Sequence, residues 1–361
     1  MNDTPAGAAQ SPWWRPDRLA DRLPRLRARN AITAAARRWF DSQGFEEVET
    51  PALQVSPGME VHLQAFATEL REPFGGGPGR RLYLHTSPEF AMKKLLVAGM
   101  PRIFQLARTW RNAERSATHH PEFTMLEWYR ANEGWRAIAA DCETLVREAL
   151  ATVRTEYGGL WRRGAMSCDP SRPWEYLTVS DAFDRCCGID LLATAPDPAA
   201  PDRDALAEEA RRLGLPASAD DSWDDVFFRI LLDRIEPHLG SGAPTVLHDW
   251  PLSMAALARP SPADGRVAER FEIFVCGMEL ANGFGELTDP VEQRRRFEAD
   301  MARKRALHGD AWPVDEDFLA ALASGMPESA GVALGFDRLV MLCTGAPKIE
   351  DVLWAPVVTA C

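Results

Sequence analysis

Arg111 opens the run R-N-A-E-R-S-A-T-H-H-P-E-F-T-M-L-E-W-Y, Arg111 to Tyr129, which reads as two strands joined by a polar loop. Arginine is always charged and its fork matches phosphate oxygens, so Arg111 is placed to hold an anion. On the exit strand a period of two puts Phe123, Met125, Glu127 and Tyr129 on one face, with Glu122, Thr124, Leu126 and Trp128 on the other. An acid and a phenol thus share a side. Taken alone, the segment reads equally well as an ordinary antiparallel hairpin with solvated charges.

A second cluster lies in R-F-E-I-F-V-C-G-M-E-L-A-N-G-F-G-E-L-T-D, Arg270 to Asp289. Alternation places Phe271, Ile273 and Val275 toward a core and points Glu272 the opposite way, while Glu279 and Glu286 follow at spacings of seven residues. Acids amid apolar residues are costly unless paired. Glu272 and Glu279 could converge on a divalent ion whose shell is completed by nucleotide phosphates, which is how Mg²⁺ is usually held. Pairing with local arginines such as Arg270 is the equal alternative. A third element, G-V-A-L-G-F-D-R-L-V-M-L from Gly331 to Leu342, reads as a glycine-bearing strand followed by a helix. Glycine lets a flat ring approach the backbone, and Arg338 near the helix start can reach a phosphate.

The elements that must position these groups follow from periodicity and punctuation. A helix is expected from about Leu26 to Gln43, stopped by Gly44, with a strand leading to Pro51. Its Ile32, Ala35, Ala36, Trp39 and Phe40 form an apolar face broader than one buried stripe requires. Gly75 to Gly79 marks a loop between strands, and Trp135–Leu150, Asp202–Leu213 and Asp221–Leu239 have helical patterns around a Pro/Ala linker, Ala193–Pro201. Val291–Leu307 and Asp315–Ala323 read as further surface helices.

Order and spacing of the three elements resemble the signature motifs of class II aminoacyl-tRNA synthetases, and specifically the lysyl-tRNA synthetase catalytic domain. The Arg111 segment is similar to motif 2, the Gly331 segment to motif 3, and A-R-N-A-I-T-A-A-A-R-R-W-F-D-S-Q-G-F-E-E-V-E-T-P, ending at Pro51, to motif 1. The resemblance implies an α+β fold, a mixed, mostly antiparallel sheet flanked by helices. It also implies one catalytic domain over residues 26–361, after an N-terminal extension of residues 1–25, with a mainly helical insertion at about 150–240. Fewer than thirty residues precede motif 1, too few for an anticodon-binding domain of about a hundred, so no anticodon recognition is expected.

Within that family the chain is most similar to truncated paralogues that ligate (R)-β-lysine to elongation factor P. T-S-P-E-F, Thr86 to Phe90, has serine where lysyl-tRNA synthetases typically have alanine, and Ala333 stands where they have the middle glycine of motif 3. The resemblance implies ATP as substrate, Mg²⁺ on Glu272 and Glu279, and Arg111 and Arg338 as the catalytic arginines on the phosphates. Further ATP contacts would come from Asn112, Ala113, His120, Glu279, Leu280 and Gly335. A lysine-type substrate would lie against Ser87, Pro88, Glu89, Tyr129, Glu286 and Ala333, with Glu89 at the amino group near the carboxylate and Glu286 with Tyr129 at the distal one. Elongation factor P is the implied acceptor and a homodimer the implied assembly.

Three positions depart from the family's pattern. Ala113 replaces the glutamate expected on adenine, with Glu114 next to it, His120 replaces an asparagine, and Gly285 precedes Glu286 where histidine or serine is usual. A lysyl-tRNA or small-acceptor ligase remains an alternative, as does a non-catalytic protein, although retention of Arg111, Arg338, Glu272, Glu279 and Glu286 argues against decay.

Composition agrees with a folded enzyme. A 46% hydrophobic and 26% charged chain of 361 residues can bury a sizeable core. Seven cysteines without a C-x-x-C pair indicate neither a disulfide framework nor a zinc site. The start has no basic region before an apolar run, so a cytoplasmic protein off the membrane is expected. Net charge, 41 minus 53 or −12, disfavours broad nonspecific RNA binding. A cluster of Arg15, Arg18, Arg22, Arg25, Arg27, Arg29, Arg37 and Arg38 reads first as a solvated helix face paired with Asp17 and Asp21, and second as a basic patch for a partner.

Overall fold

The computed structural model describes residues 12–71, 73, 77 and 79–357. In chain order these form α1 (Pro16–Ser42), β1 (Glu46–Glu47), β2 (Leu53–Gln54), β3 (Ala67–Leu70), β4 (Arg80–Leu84), α2 (Glu89–Val97), β5 (Arg102–Trp110) and β6 (Glu122–Ala131). There follow α3 (Trp135–Tyr157), β7 (Trp161–Arg163), β8 (Met166–Cys168), β9 (Glu175–Thr178), α4 (Val179–Cys187), α5 (Arg203–Arg212) and α6 (Trp223–Ile230). The chain then runs through β10 (Thr245–Pro251), β11 (Val267–Val275), β12 (Met278–Gly285), α7 (Pro290–His308), α8 (Glu316–Ala323), β13 (Ser329–Gly335) and α9 (Phe336–Thr344). The expected loop at Gly75–Gly79 falls largely outside the described residues.

An eight-stranded sheet in the order β1-β5-β6-β13-β12-β11-β10-β9 organises these elements. Only the edge pairs β1·β5 and β10·β9 are parallel. The expected mixed, mostly antiparallel sheet with flanking helices is what the chain forms. The motif 2, acidic and motif 3 segments become neighbours despite their separation in sequence: β13 lies between β6 and β12, with Gly331 opposite Tyr129 and Ala333 opposite both Glu127 and Asn282.

One face of the sheet is covered by α1, α3 and α9. Phe40 of α1 stacks on Phe104 of β5 with centroids 4.2 Å apart, and Leu126 and Trp128 of β6 join the same cluster. On the other face α2, α7 and α8 pack with Tyr129, Phe297 and Phe318. Both faces of β6 are therefore buried, and the open reading of solvated charges fails because Glu127 is 1% exposed. Glu272 is likewise buried, since the central strand β11 is covered on both sides, Phe274 packing with α4–α6 and Phe271 with α3.

Three expectations need correction. The first helix starts at Pro16, ahead of Leu26, because its early turns are held by charge and not by an apolar stripe. Arg22 donates to the carbonyl of Leu353, and buried Arg29 pairs with Asp337 while donating to Thr124 Oγ1 at 2.8 Å. Two members of the arginine cluster thus bolt α1 to the C-terminal segment and are not solvated. Of the broad apolar face of α1, Ile32, Ala35, Ala36 and Phe40 are buried within the chain and Trp39 is half-buried against the same core. Finally α7 and α8 are more than surface helices: Phe297 and Phe318 are almost fully buried, and Lys304 of α7 donates to the carbonyls of Val61 and Leu63.

Candidate active site

The segment Ser87-Pro88-Glu89 sits where β4 gives way to α2, with Pro88 at the N-cap and the Glu89 amide donating to Ser87 Oγ at 3.1 Å. Ser87 Oγ in turn donates to Glu127 Oε2 at 2.8 Å, and the Tyr129 hydroxyl donates to Glu127 Oε1 at 2.5 Å. Period two along β6 makes the Glu127–Tyr129 contact possible, as read from the sequence. Glu286 follows β12, 1% exposed, and its Oε1 makes no hydrogen bond. Gly331 keeps the space between them: a Cβ there would lie 2.2 Å from Tyr129 Cδ1 and 3.0 Å from Glu286 Oε1.

Ser87, Glu89, Glu127, Tyr129 and Glu286 thus gather in one cluster, and a cation lies among them. Lys93, one turn beyond Glu89 on α2, places its ammonium 2.5 Å from Glu89 Oε1 and 2.5 Å from Glu286 Oε2. Burial pushes Glu127 up to about 8, helped by the charge of Glu89 and opposed by its two donors. Burial also raises Glu286 to about 7 against the pull of Lys93. The site residues assigned from sequence lacked Glu127 and Lys93. The i, i+4 spacing of Glu89 and Lys93 was available as a signal, whereas the contact between α2 and Glu286 is tertiary.

Beside this pocket lie the two arginines. Arg111 follows β5; its amide bonds Pro121 O at 3.0 Å, its guanidinium lies over the Phe123 ring at 5.3 Å, and its buried Nε has no partner. Arg338, in the first turn of α9, donates through Nη1 to Glu279 O at 2.7 Å and through Nη2 to His119 Nε2 at 2.8 Å. Burial and the charge of Arg338 hold His119 below its ordinary pKa, so it accepts as a neutral ring. Asn112 is tied to Gln64 O through its amide, Ala113 takes a left-handed φ of 61°, and Gly335 caps α9. His120 is buried with Nδ1 on Glu122 O and Nε2 accepting from the Val357 amide, so both ring nitrogens are committed within the chain. The charge of Glu114 reaches His119. Leu280 is buried on β12 beside Glu279.

The acids proposed for metal stand on the β11–β12 hairpin. Arg270 donates to Glu272 Oε1 at 2.7 Å and Asn282 Nδ2 does so at 3.3 Å, so the ion-pair alternative is present. Burial and the charge of Glu279 nevertheless push Glu272 up to about 8, with Glu236 adding to the repulsion. Asn282 Oδ1 is buried without a partner. Two carboxylates and an orphan amide oxygen fit a hard divalent cation that keeps phosphate or water ligands. Among the described residues no group of three or more His, Cys, Asp or Glu suits a metal by itself.

Arg111 on the hairpin similar to motif 2, Arg338 on the helix similar to motif 3, and an acidic hairpin on the same mostly antiparallel sheet form the arrangement of a class II synthetase catalytic unit. The chain belongs to the family described as tRNA synthetases class II (D, K and N), whose family model matches residues 18–359. It is 42% identical over 334 residues to proteins of Salmonella paratyphi B and Salmonella schwarzengrund named elongation factor P--(R)-beta-lysine ligase, covering 92% of this chain and 94% of theirs. Among the described residues no helix is long and apolar enough to cross a membrane.

Proposed function

We propose that the chain is an ATP-dependent, AMP-forming ligase that activates (R)-β-lysine, or lysine, and transfers the acyl group to a lysine side chain of elongation factor P. One observation carries the reading: a buried cluster of three acids, Glu89, Glu127 and Glu286, gathered around the ammonium of Lys93, with Glu89 also lining a cleft. Such an acidic site suits an amino acid with two ammonium groups.

Glu89 takes the amino group nearer the carboxylate, and Glu286 Oε1 with Tyr129 takes the distal one. Pro88 and Ala333 shape the wall, and Ser87 and Tyr129 hold Glu127 in place. Arg111 orients the α-phosphate and Arg338 the γ-phosphate, while Asn112, Ala113, Leu280, Gly335 and His120 shape or support the nucleotide cleft. Mg²⁺, held by Glu272 and Glu279, would neutralise phosphate charge. The substrate carboxylate attacks the α-phosphorus and pyrophosphate leaves. Alignment and charge neutralisation supply the catalysis, with no protein nucleophile needed.

The test is intact-mass analysis of elongation factor P after incubation with the chain, ATP, Mg²⁺ and either lysine isomer. A mass gain of one β-lysyl group is expected. Unmodified elongation factor P together with acylated tRNA would replace this reading with a tRNA ligase.

A further inference from the structure

Glu60 is an acid beside the site that adenylate formation leaves unused. It lies in the loop between β2 and β3, with its carboxylate folded back over Gly58. A Cβ at Gly58 would lie 2.5 Å from Glu60 Oε2 and 2.7 Å from Thr86 Oγ1. The φ of 150° at Gly58 is also one that side chains rarely adopt, so glycine there keeps the close approach open. A cleft lined by Ser56, Gly58, Glu60, Ser87 and Glu89 joins this carboxylate to the substrate-binding segment.

Glu60 Oε2 is buried and makes no hydrogen bond. Lys304 makes no hydrogen bond to this carboxylate, its ammonium donating to the Val61 and Leu63 carbonyls at 2.9 and 2.5 Å. The charges that reach Glu60 are those of Glu89, Arg111 and Lys304. The cleft sets it beside Glu89, the acid assigned to the substrate's amino group, and the charge of Arg111 also reaches it, so the acyl–phosphate bond of the adenylate would lie close by. Burial, then the charge of Glu89, raises its proton affinity, the direction that suits a general base. A buried carboxylate oxygen without a partner is costly, so a cationic visitor is the chemistry Glu60 Oε2 suits.

Resting on the ligase reading above, we propose that Glu60 receives the acceptor's primary ammonium and takes its proton in the transfer step. One N–H bond breaks and its proton passes to Glu60. The freed lone pair attacks the acyl carbon, forming the C–N bond, and the bond from that carbon to the phosphate oxygen breaks, so AMP leaves with the electron pair. The second amine proton passes to solvent as the amide forms. A hydroxyl acceptor, being uncharged, would gain nothing from this anion, and the substrate's own ammonium groups already have Glu89 and Glu286.

The experiment separates the half-reactions in Glu60→Gln. Lysine-dependent ATP–pyrophosphate exchange should stay within about twofold of the unmodified chain, while single-turnover transfer from preformed adenylate to elongation factor P falls about 10²-fold at neutral pH. The lost rate should return as pH rises. Hydroxylamine, uncharged at neutral pH, should accept the acyl group equally from both proteins. Gly58→Ala, which displaces the carboxylate, should reproduce the transfer defect. Unchanged transfer in Glu60→Gln, a matching fall in exchange, or equally impaired trapping by hydroxylamine would each overturn the assignment. Absence of exchange in the unmodified chain would overturn the ligase reading, and this assignment with it.

Discussion

The ammonium of Lys93 lies 2.5 Å from Glu286 Oε2 within a buried, acid-rich cluster. Lys93 is 1% exposed and also reaches Glu89 at the same distance. Without it, Glu286 would lose the one strong influence that opposes burial. Its pKa, already about 7, would climb further. Lys93→Met should therefore leave Glu286 largely protonated at pH 7 and raise KM for the lysine substrate by about 10-fold, the equivalent of one pKa unit. The KM should recover toward pH 9, and kcat should change less. A KM increase independent of pH would mean that Lys93 only supports the packing of α2.

Much of this site was legible in the sequence because its strands keep period two and its acids stand in apolar runs. Glu127 and Tyr129 were placed on one side correctly, and Arg338 was placed at a helix start, where α9 has it. What escaped was chemistry fixed by tertiary contact. Lys93 meets Glu286 across a tertiary contact between residues far apart in sequence, and Glu60 joins Ser87 and Glu89 in one cleft through an irregular loop with no periodicity to read. The early start of α1 escaped for a similar reason: nothing local in residues 16–25 announces that Arg22 will be bonded to Leu353.

Arg111→Ala and Arg338→Ala should each reduce pyrophosphate exchange by about 10²-fold or more, since each removes an oriented charge that acts most strongly in the transition state. The two should differ in stability. Arg338 also ties Glu279 O, Thr118 O and His119 together, whereas Arg111 Nε has no partner. Thermal unfolding should therefore register the loss of Arg338 more than that of Arg111. Near-normal exchange in either variant would remove that arginine from the phosphate site.

Glu279→Gln tests the hairpin acids. If Glu272 and Glu279 hold Mg²⁺ together, the variant should need several-fold more Mg²⁺ for half-maximal exchange, while its unfolding midpoint stays close to that of the unmodified chain. Glu272→Gln should behave alike in Mg²⁺ titration but also free Arg270, its 2.7 Å partner. Unchanged Mg²⁺ titrations for both would leave Glu272 as the ion-pair partner of Arg270 and nothing more.

The ligand-free protein should lose stability as pH rises through the neutral range. Glu127 and Glu272 at about 8 and Glu286 at about 7 all hold protons more tightly folded than unfolded, where a glutamate titrates near 4.3. Their contribution is fully present below that unfolded value and is lost as pH rises through the folded ones. Groups held low, such as Glu292 at about 2, act in a separate acidic window. Tm should fall between about pH 5 and 8, and Glu127→Gln should flatten the slope. A Tm that rises across this range would contradict the protonated pocket.

Ala333 is the sharpest handle on which lysine isomer is taken. It stands opposite Glu127 on β6 and opposite Asn282 on β12, two residues beyond Gly331, so its methyl shares the face on which a Gly331 Cβ would meet Tyr129 and Glu286. That methyl lies between Glu127 on β6 and Asn282 on the acidic β11–β12 hairpin. A single methyl discriminates by about 1–3 kcal/mol, or roughly 10–200-fold, so the preference it imposes is graded. (R)-β-Lysine should be activated in preference to α-lysine, and Ala333→Gly should shift the ratio of kcat/KM values toward α-lysine with little change in Tm. Ser87→Ala, which removes the 2.8 Å bond to Glu127 Oε2, should add to the shift by loosening the acid that Tyr129 alone would then hold. Equal ratios in the unmodified chain and Ala333→Gly would show that the isomer is selected elsewhere in the pocket.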